Sequence, residues 1–417
     1  MYQIEGTAQV IGSHRRGLRP ARPWVNRTVL ALGLTSLFTD VSSEMITAVL
    51  PIYLVFGLHV SPLVFGVVDG LYAAATAPAR LIGGFWADRA RRHKELAVVG
   101  YGLSTGTRLG MLLVGNAWAA LLGLLLVDRV GKGIRTAPRD AMISLATPRD
   151  RWGVAFGTHR ALDMAGAMAG PVLAFAVLAA APRSYDAVFV VSLCAAVIGL
   201  GVLVLFVPHP RRPAVPTTAA VTVRAAAGLI RKRAFASVLA TATVLGLATL
   251  GDAFLYLTLQ DRLGFDIGLF PLLYVATSLV FMVLAVPVGG LADRVGRARV
   301  FAGGYVALLG VYALLVIPGG AMSVVGAVLL LGAFYAATDG VLMALASESL
   351  PPHLRTSGMA LVATAVSLAR FGSSVLFGLL WTTVGVHTAV LGFACGLAGA
   401  LTVAVVLVGR RRLEPAR

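Results

Sequence analysis

The sequence predicts an all-α membrane protein with twelve transmembrane helices, arranged as two six-helix bundles related by pseudo-two-fold symmetry. Three observations carry the prediction. The chain of 417 residues is 58% hydrophobic and only 13% charged, with mean hydropathy +0.86, where a soluble protein carries about 25% charged residues. Its apolar residues fall into twelve long runs. A short motif around Asp88 returns around Asp293, 205 residues later.

A helix needs about 20 mostly apolar residues to cross the hydrocarbon layer. The twelve runs lie at 28–57, 61–86, 95–114, 118–144, 152–179, 186–207, 235–259, 269–291, 299–317, 321–347, 355–384 and 386–408. They are too long and unbroken for barrel strands, which alternate over about ten residues. Residues 1–27 are an Arg-rich tail without the apolar core of a cleaved signal. Residues 28–207 make the first bundle and 235–408 the second. Between them, 208–234 starts Pro-His-Pro-Arg-Arg-Pro and reads as a linker; 409–417 is a short basic tail.

The 35 Lys and Arg outnumber the 18 Asp and Glu, for a net charge of +17. In a soluble protein this excess would point to nucleic acid. Here 25 of the bases fall in the loops and tails of one side and only Arg183 and Arg262 in the loops of the other. Basic loops stay in the cytoplasm. Both termini, the linker and the tails are therefore expected inside, in a multi-pass protein of the cell's inner (plasma) membrane, facing anionic lipid. Membrane lipid, not nucleic acid, is the expected partner. Cys194 and Cys395 sit in apolar runs and read as small buried hydrophobes. No CxxC, HExxH, GxSxG or Walker pattern appears. The chain is thus read as no enzyme, with no metal and no cofactor, drawing energy from an ion gradient.

A six-helix unit used twice is a build of secondary transporters, with solute held near the midplane where the halves meet. The second span closes on Gly84-Phe85-Trp86-Ala87-Asp88-Arg89, the eighth on Gly289-Gly290-Leu291-Ala292-Asp293-Arg294-Val295-Gly296-Arg297. The latter resembles the loop motif of the major facilitator superfamily, Gly-x-Leu-Ala-Asp-Arg-x-Gly-Arg, and the chain resembles that family over nearly its whole length. The first copy departs from it with Trp86 and Arg91. The resemblance implies a gating role for Gly84, Asp88, Arg89, Gly289, Asp293, Arg294, Gly296 and Arg297. Physically, the glycine lets helices approach and the aspartate can meet a helix N-terminus or an arginine. The plain alternative is a basic loop set by topology.

Two further motifs belong to the resemblance. Arg129-Val130-Gly131-Lys132-Gly133 is similar to the family's Arg-x-x-Gln-Gly, with Lys132 in place of Gln. The resemblance links Arg129 to proton coupling; an arginine that pins helices through a carboxylate is the other reading. Gly166-Ala167-Met168-Ala169-Gly170-Pro171 is similar to the antiporter motif Gly-x-x-x-Gly-Pro, which accompanies export, but Leu173-Ala174 stands where the motif ends in glycines. Small residues four apart also serve ordinary close packing. The stretches Phe38–Ile46 and Gly131–Asp140 resemble a bacterial branch of the family and name no substrate.

Leaving aside Glu95, Asp186, Arg299 and Arg355 at the first residues of their spans, sixteen charged residues fall inside the spans, eight acids and eight bases, and thirteen of them lie in the first six. Each costs about 2.5–3.5 kcal/mol at a helix centre, and sixteen unpaired ones roughly 40–55 kcal/mol, beyond any folding margin. They must pair, face a wet cavity or sit near a helix end; Arg139 and Asp140 are read as lying at the cytoplasmic end. Asp40 and Glu44 are one turn apart on one face. Asp40 lies roughly 18 Å deep and Arg129 roughly 16 Å. Two close carboxylates do not easily both stay ionised, so the pair is placed to take up and release a proton; two static salt bridges are the alternative. In the family's fold the first, fourth and fifth spans pack together, so the resemblance offers Asp40 or Asp163 as partner for Arg129. Asp128, Lys132, Arg135 and Arg139 form a polar stripe on the fourth span. His159 can titrate near neutral pH or simply pack.

Proton coupling is therefore assigned to Asp40, Glu44, Arg129 and Asp163, and the substrate cavity to Arg108, Lys132, Arg160, Asp252 and Arg370. Gly166, Gly170 and Pro171 form the antiporter-like motif. The leading expectation is a monomeric exporter of a small-molecule substrate that uses protons by antiport. Uptake of an anionic solute by symport, through Arg108, Arg129 and Lys132, is the alternative. A membrane receptor on the same fold is a third reading.

Overall fold

A computed structural model describes residues 26–75, 92–115, 117–148, 151–208, 233–317, 320–348 and 355–411. Among them are thirteen α-helices: α1 (Arg27–Ile52), α2 (Pro62–Ala74), α3 (His93–Leu113), α4 (Trp118–Ala146), α5 (Trp152–Ala180), α6 (Tyr185–Phe206) and α7 (Arg233–Leu247). There follow α8 (Asp252–Leu263), α9 (Phe270–Val295), α10 (Arg297–Val316), α11 (Ala321–Glu348), α12 (Arg355–Val384) and α13 (Val386–Arg411). They make twelve membrane spans, because α7 and α8 are two parts of the seventh. Most of the 208–234 segment lies outside the described residues, as do Arg80, Gly84, Asp88 and Arg89.

Local chemistry sets the ends. Asn26 caps α1 by accepting from the Thr28 amide, and Ser61 caps α2 by accepting from Val64, with Pro62 at the first turn, the placement favoured for each type. Past Pro51, α1 loosens into one π-turn over Tyr53–Gly57. Gly264 ends α8 at φ 58°, and Gly296 turns α9 into α10 at φ 109°, a backbone region open to glycine.

The two halves repeat one packing scheme. In the first, α1 packs on α5 and α6, and α3 on α4 and α6. In the second, α7 packs on α12, and α10 on α11 and α13. Across the halves α2 meets α12 and α5 meets α9, which are equivalent pairs under the pseudo-two-fold axis. The apolar core of α1 is 72% buried and that of α13 only 22%, so α1 stands at the centre and α13 at the lipid edge. Cys194 and Cys395, expected to be buried, are both exposed. Towards lipid a thiol is as acceptable as a methyl group, so burial is not needed to hold it.

The halves close on each other at the end opposite the start of α1. Ser374 donates to Asp69 at 2.7 Å and the Leu63 amide to Thr382 at 3.2 Å. Trp381 packs against Phe254 and Phe377 at this end.

The seventh span was read as one run over 235–259. Instead it breaks between Leu247 and Asp252. The freed backbone groups find side chains. The Tyr312 hydroxyl accepts from the Leu250 amide at 2.8 Å and donates to the Ala248 carbonyl at 2.9 Å, and Ser373 donates to the Thr249 carbonyl at 2.6 Å. Irregular backbone at membrane depth needs such partners. Tyr312→Phe orphans two buried groups at about 1–3 kcal/mol each. It is expected to lower the thermal midpoint of the purified protein, while Tyr274→Phe leaves the midpoint nearly unchanged.

Candidate functional site

Glycine brings the charge-bearing helices of the first half together. A β-carbon at Gly166 would collide with the Leu37 backbone, and one at Gly170 would come 2.8 Å from the Val41 carbonyl oxygen. Gly100 and Gly131 face each other in the same way between α3 and α4. The Gly166-x-x-x-Gly170-Pro171 stretch is thus a close-approach surface for α1, with Pro171 inside α5.

Three charge clusters result. The first joins α3, α4 and α1. Arg108 is 1% exposed. Its Nη2 lies 3.0 Å from Asp128 Oδ1, and it also donates to Ser42, Ser43 and Thr107. Arg129 takes the other oxygen of Asp128 at 2.7 Å and lies 4.0 Å over the Tyr72 ring, a favourable cation–π contact. One carboxylate between two guanidiniums leaves a positive surplus, and Glu44 faces it.

The second cluster joins α1, α4 and α5. Asp40 and Asp163 are each 3% exposed, and their carboxyls stand within hydrogen-bonding reach of each other. A hydrogen bond between two carboxyls needs one proton between them. Basic groups ring the pair. Arg160 lies 3.1 Å and Arg139 3.8 Å from Asp163, while Lys132 and Arg135 face Asp40. Arg139 also pairs with Asp140 at 3.0 Å and donates to Ser36 at 3.4 Å. Ser36 lies 3.0 Å from His159 Nε2 and 3.3 Å from the Tyr101 hydroxyl. Arg135 donates to Ser104 at 2.9 Å over the Tyr101 ring.

The third cluster spans the interface. Asp252, the first residue of α8, accepts from the Tyr335 hydroxyl. Arg370 faces Asp252, Asp339 and Tyr335. Asp69 lies against Gly251, the residue before Asp252. Among the described residues no group of three or more His, Cys, Asp or Glu is placed to hold a metal ion.

Of the loop motif, the second copy is described. Asp293 and Arg297 pair at 3.0 Å with side chains 66% and 35% exposed, Arg294 is exposed beside them, and Gly289 has open space around it.

The placements differ from expectation in four respects. Arg129 meets Asp128, not Asp40 or Asp163, because it projects about 100° away from the α4 stripe, towards α2. The Asp40 carboxyl turns to Asp163 across the helices, while Glu44 looks towards Arg129, Tyr72 and Lys132. Arg108 is enclosed by hydroxyls and not on a cavity wall. Arg139, read as a helix-end residue, reaches back to Asp163. Tyr72, Tyr335 and Ser36 carry no signal in the sequence, and Ser42 and Ser43 only the hydroxyls clustered in Phe38–Ile46.

Known proteins carry the same build. The family model described as Major Facilitator Superfamily matches residues 32–374. An uncharacterized MFS-type transporter of Methanocaldococcus jannaschii is 29% identical over 367 residues, covering 86% of this chain and 89% of that one. Among solved structures, a mutant of the nucleoside transporter NupG superposes with a TM-score of 0.79 at 13% identity, over 91% of this chain and 99% of that one. A bacterial homolog of the human lysosomal transporter Spinster, inward-facing and occupied, superposes with a TM-score of 0.72 at 15% identity, over 96% of this chain and all of that one. With the fold of a secondary transporter and a family match over most of its length, this multi-pass membrane protein belongs to the major facilitator superfamily.

Proposed function

We propose that the protein exports a small solute by proton antiport through alternating access, as a monomer in the cell's inner (plasma) membrane with both termini in the cytoplasm. The observation that carries this reading is the Asp40–Asp163 pair, sealed between α1 and α5 and ringed by Lys132, Arg135, Arg139 and Arg160. One proton joins the two carboxyls. Without it they repel, and each turns to the bases of α4 and α5. The proton thus chooses between two pairings of the same helices, which is what a carrier needs to bias one state over another. With the termini inside, the closed end faces out. Lys132 faces Asp40 as well as Glu44 and Arg129 and so links the proton pair to the Arg129 cluster.

The experiment begins with a deletion strain screened against toxic compounds, metals and siderophores. A compound to which the strain is hypersensitive should accumulate in inside-out vesicles with an acidic interior and leave when the gradient is collapsed. Accumulation only in right-side-out vesicles would instead establish the second reading, uptake of an anion by symport. The specific observation behind that reading is the surplus charge at Arg129, where two arginines share Asp128.

A further inference from the structure

The seam between the halves carries acids that the Asp40–Asp163 pair does not use. Here α2 and α12 meet backbone to backbone. β-carbons at Gly66, Gly70 and Gly378 would collide with Ser374, Phe371 and Pro62. Phe65 of one half stands 4.9 Å from Phe254 of the other, edge to face. Into this tight seam α2 carries Asp69. Its Oδ2 accepts from Ser374 at 2.7 Å and would lie 3.0 Å from a β-carbon at Gly251. Asp69 therefore abuts the break of the seventh span, where α8 starts with Asp252. Closing this end brings an acid of one half onto an acid of the other, and like charges oppose that approach. Arg370 is shared among Asp69, Asp252 and Asp339, one cation against three acids.

We propose that Asp69 and Asp252 form a proton-operated outer gate: a proton on Asp69 removes its repulsion with Asp252 and lets the α2–α12 seam close, and loss of that proton lets the seam open. The inference rests on the transporter reading and adds a second proton site to it. A proton arriving from outside would close the gate behind itself, which ties proton entry to the outward-to-inward step that antiport requires. The other titratable and charged groups facing this place are Arg370 on α12, Tyr274 on α9, Tyr335 and Asp339 on α11, and, beyond Tyr72, Glu44 on α1 and Arg129 on α4. None of them spans the seam through a bond of its own as Asp69 does to Ser374.

The test is a distance measurement on the full chain in lipid nanodiscs. Spin labels go on His59→Cys and His387→Cys in a Cys194→Ser, Cys395→Ser background, and this also removes two titratable side chains from the outer end. The ratio of closed to open populations should rise about tenfold from pH 8.5 to pH 5.5. Asp69→Asn keeps an acceptor for Ser374 but no charge, and should stay closed at both pH values. Ser374→Ala should weaken closure at both while keeping the pH response. Asp40→Asn should keep the response as well, so that failure of the Asp40–Asp163 reading shows in vesicle flux and not here. A pH-independent distance in the parent, or a response that survives in both Asp69→Asn and Asp252→Asn, overturns the proposal.

Discussion

Arg108→Ala is expected to cost about 3–5 kcal/mol of stability, the range for removing one partner of a buried ion pair. Arg108 is 1% exposed and uses its guanidinium on Asp128, Ser42, Ser43 and Thr107. Its loss strands half of the Asp128 carboxylate and the Ser43 hydroxyl between α1, α3 and α4, while the Ser42 hydroxyl keeps Ser192 at 2.9 Å. A fall in the thermal midpoint on the order of 5 °C or more is expected in detergent. The double variant Arg108→Ala, Asp128→Ala should lose less than the two single losses added, because the stranded charge goes with its partner. Arg297→Ala is the contrast. Its pair with Asp293 is half in solvent, and exposed pairs contribute about 0–1 kcal/mol. Equal midpoints for Arg108→Ala and Arg297→Ala would remove the structural role assigned to Arg108.

Asp163→Asn is expected to reduce pH-driven transport at least about tenfold while leaving the protein folded. The amide can still bond Asp40 and Arg160, so packing of α5 on α1 persists. It has no acidic proton to share, so the carboxyl-to-carboxyl bond that one proton makes with Asp40 is lost. Arg139→Gln should be milder. It removes the longer contact to Asp163, 3.8 Å, and leaves Arg160 at 3.1 Å. Flux assayed beside facilitated exchange separates the outcomes: Asp163→Asn should lose accumulation against a gradient but keep solute exchange. A variant with full accumulation would take the proton site away from Asp163.

The fold was legible because it rests on counting. Runs of about 20 apolar residues, basic loops on one side and a repeat after 205 residues need no knowledge of neighbours. The break in the seventh span was not legible, because Leu247–Gly251 holds no proline and its orphaned groups are satisfied by Tyr312 and Ser373 from other spans. The site was half legible. Charge marked out Asp40, Arg129 and Asp163 in an apolar chain, since each is costly there. Helical periodicity then gave the face on which each lies but not the helix opposite, so Arg129 was matched with the wrong carboxylate and Asp40 with its own helix neighbour. Tyr72 and the serines of α1 carry no charge, and hydropathy alone does not single them out. For that reason the hydroxyl shell around Arg108 appears only in three dimensions.

The central claim is that Asp40 and Asp163 hold one proton between them. Infrared difference spectra of the protein in lipid, acid minus alkaline, read carboxyl protonation directly and need no substrate. The account predicts a protonated-carboxyl band that disappears in both Asp40→Asn and Asp163→Asn and persists in Asp140→Asn. A band unchanged in the first two variants would contradict it.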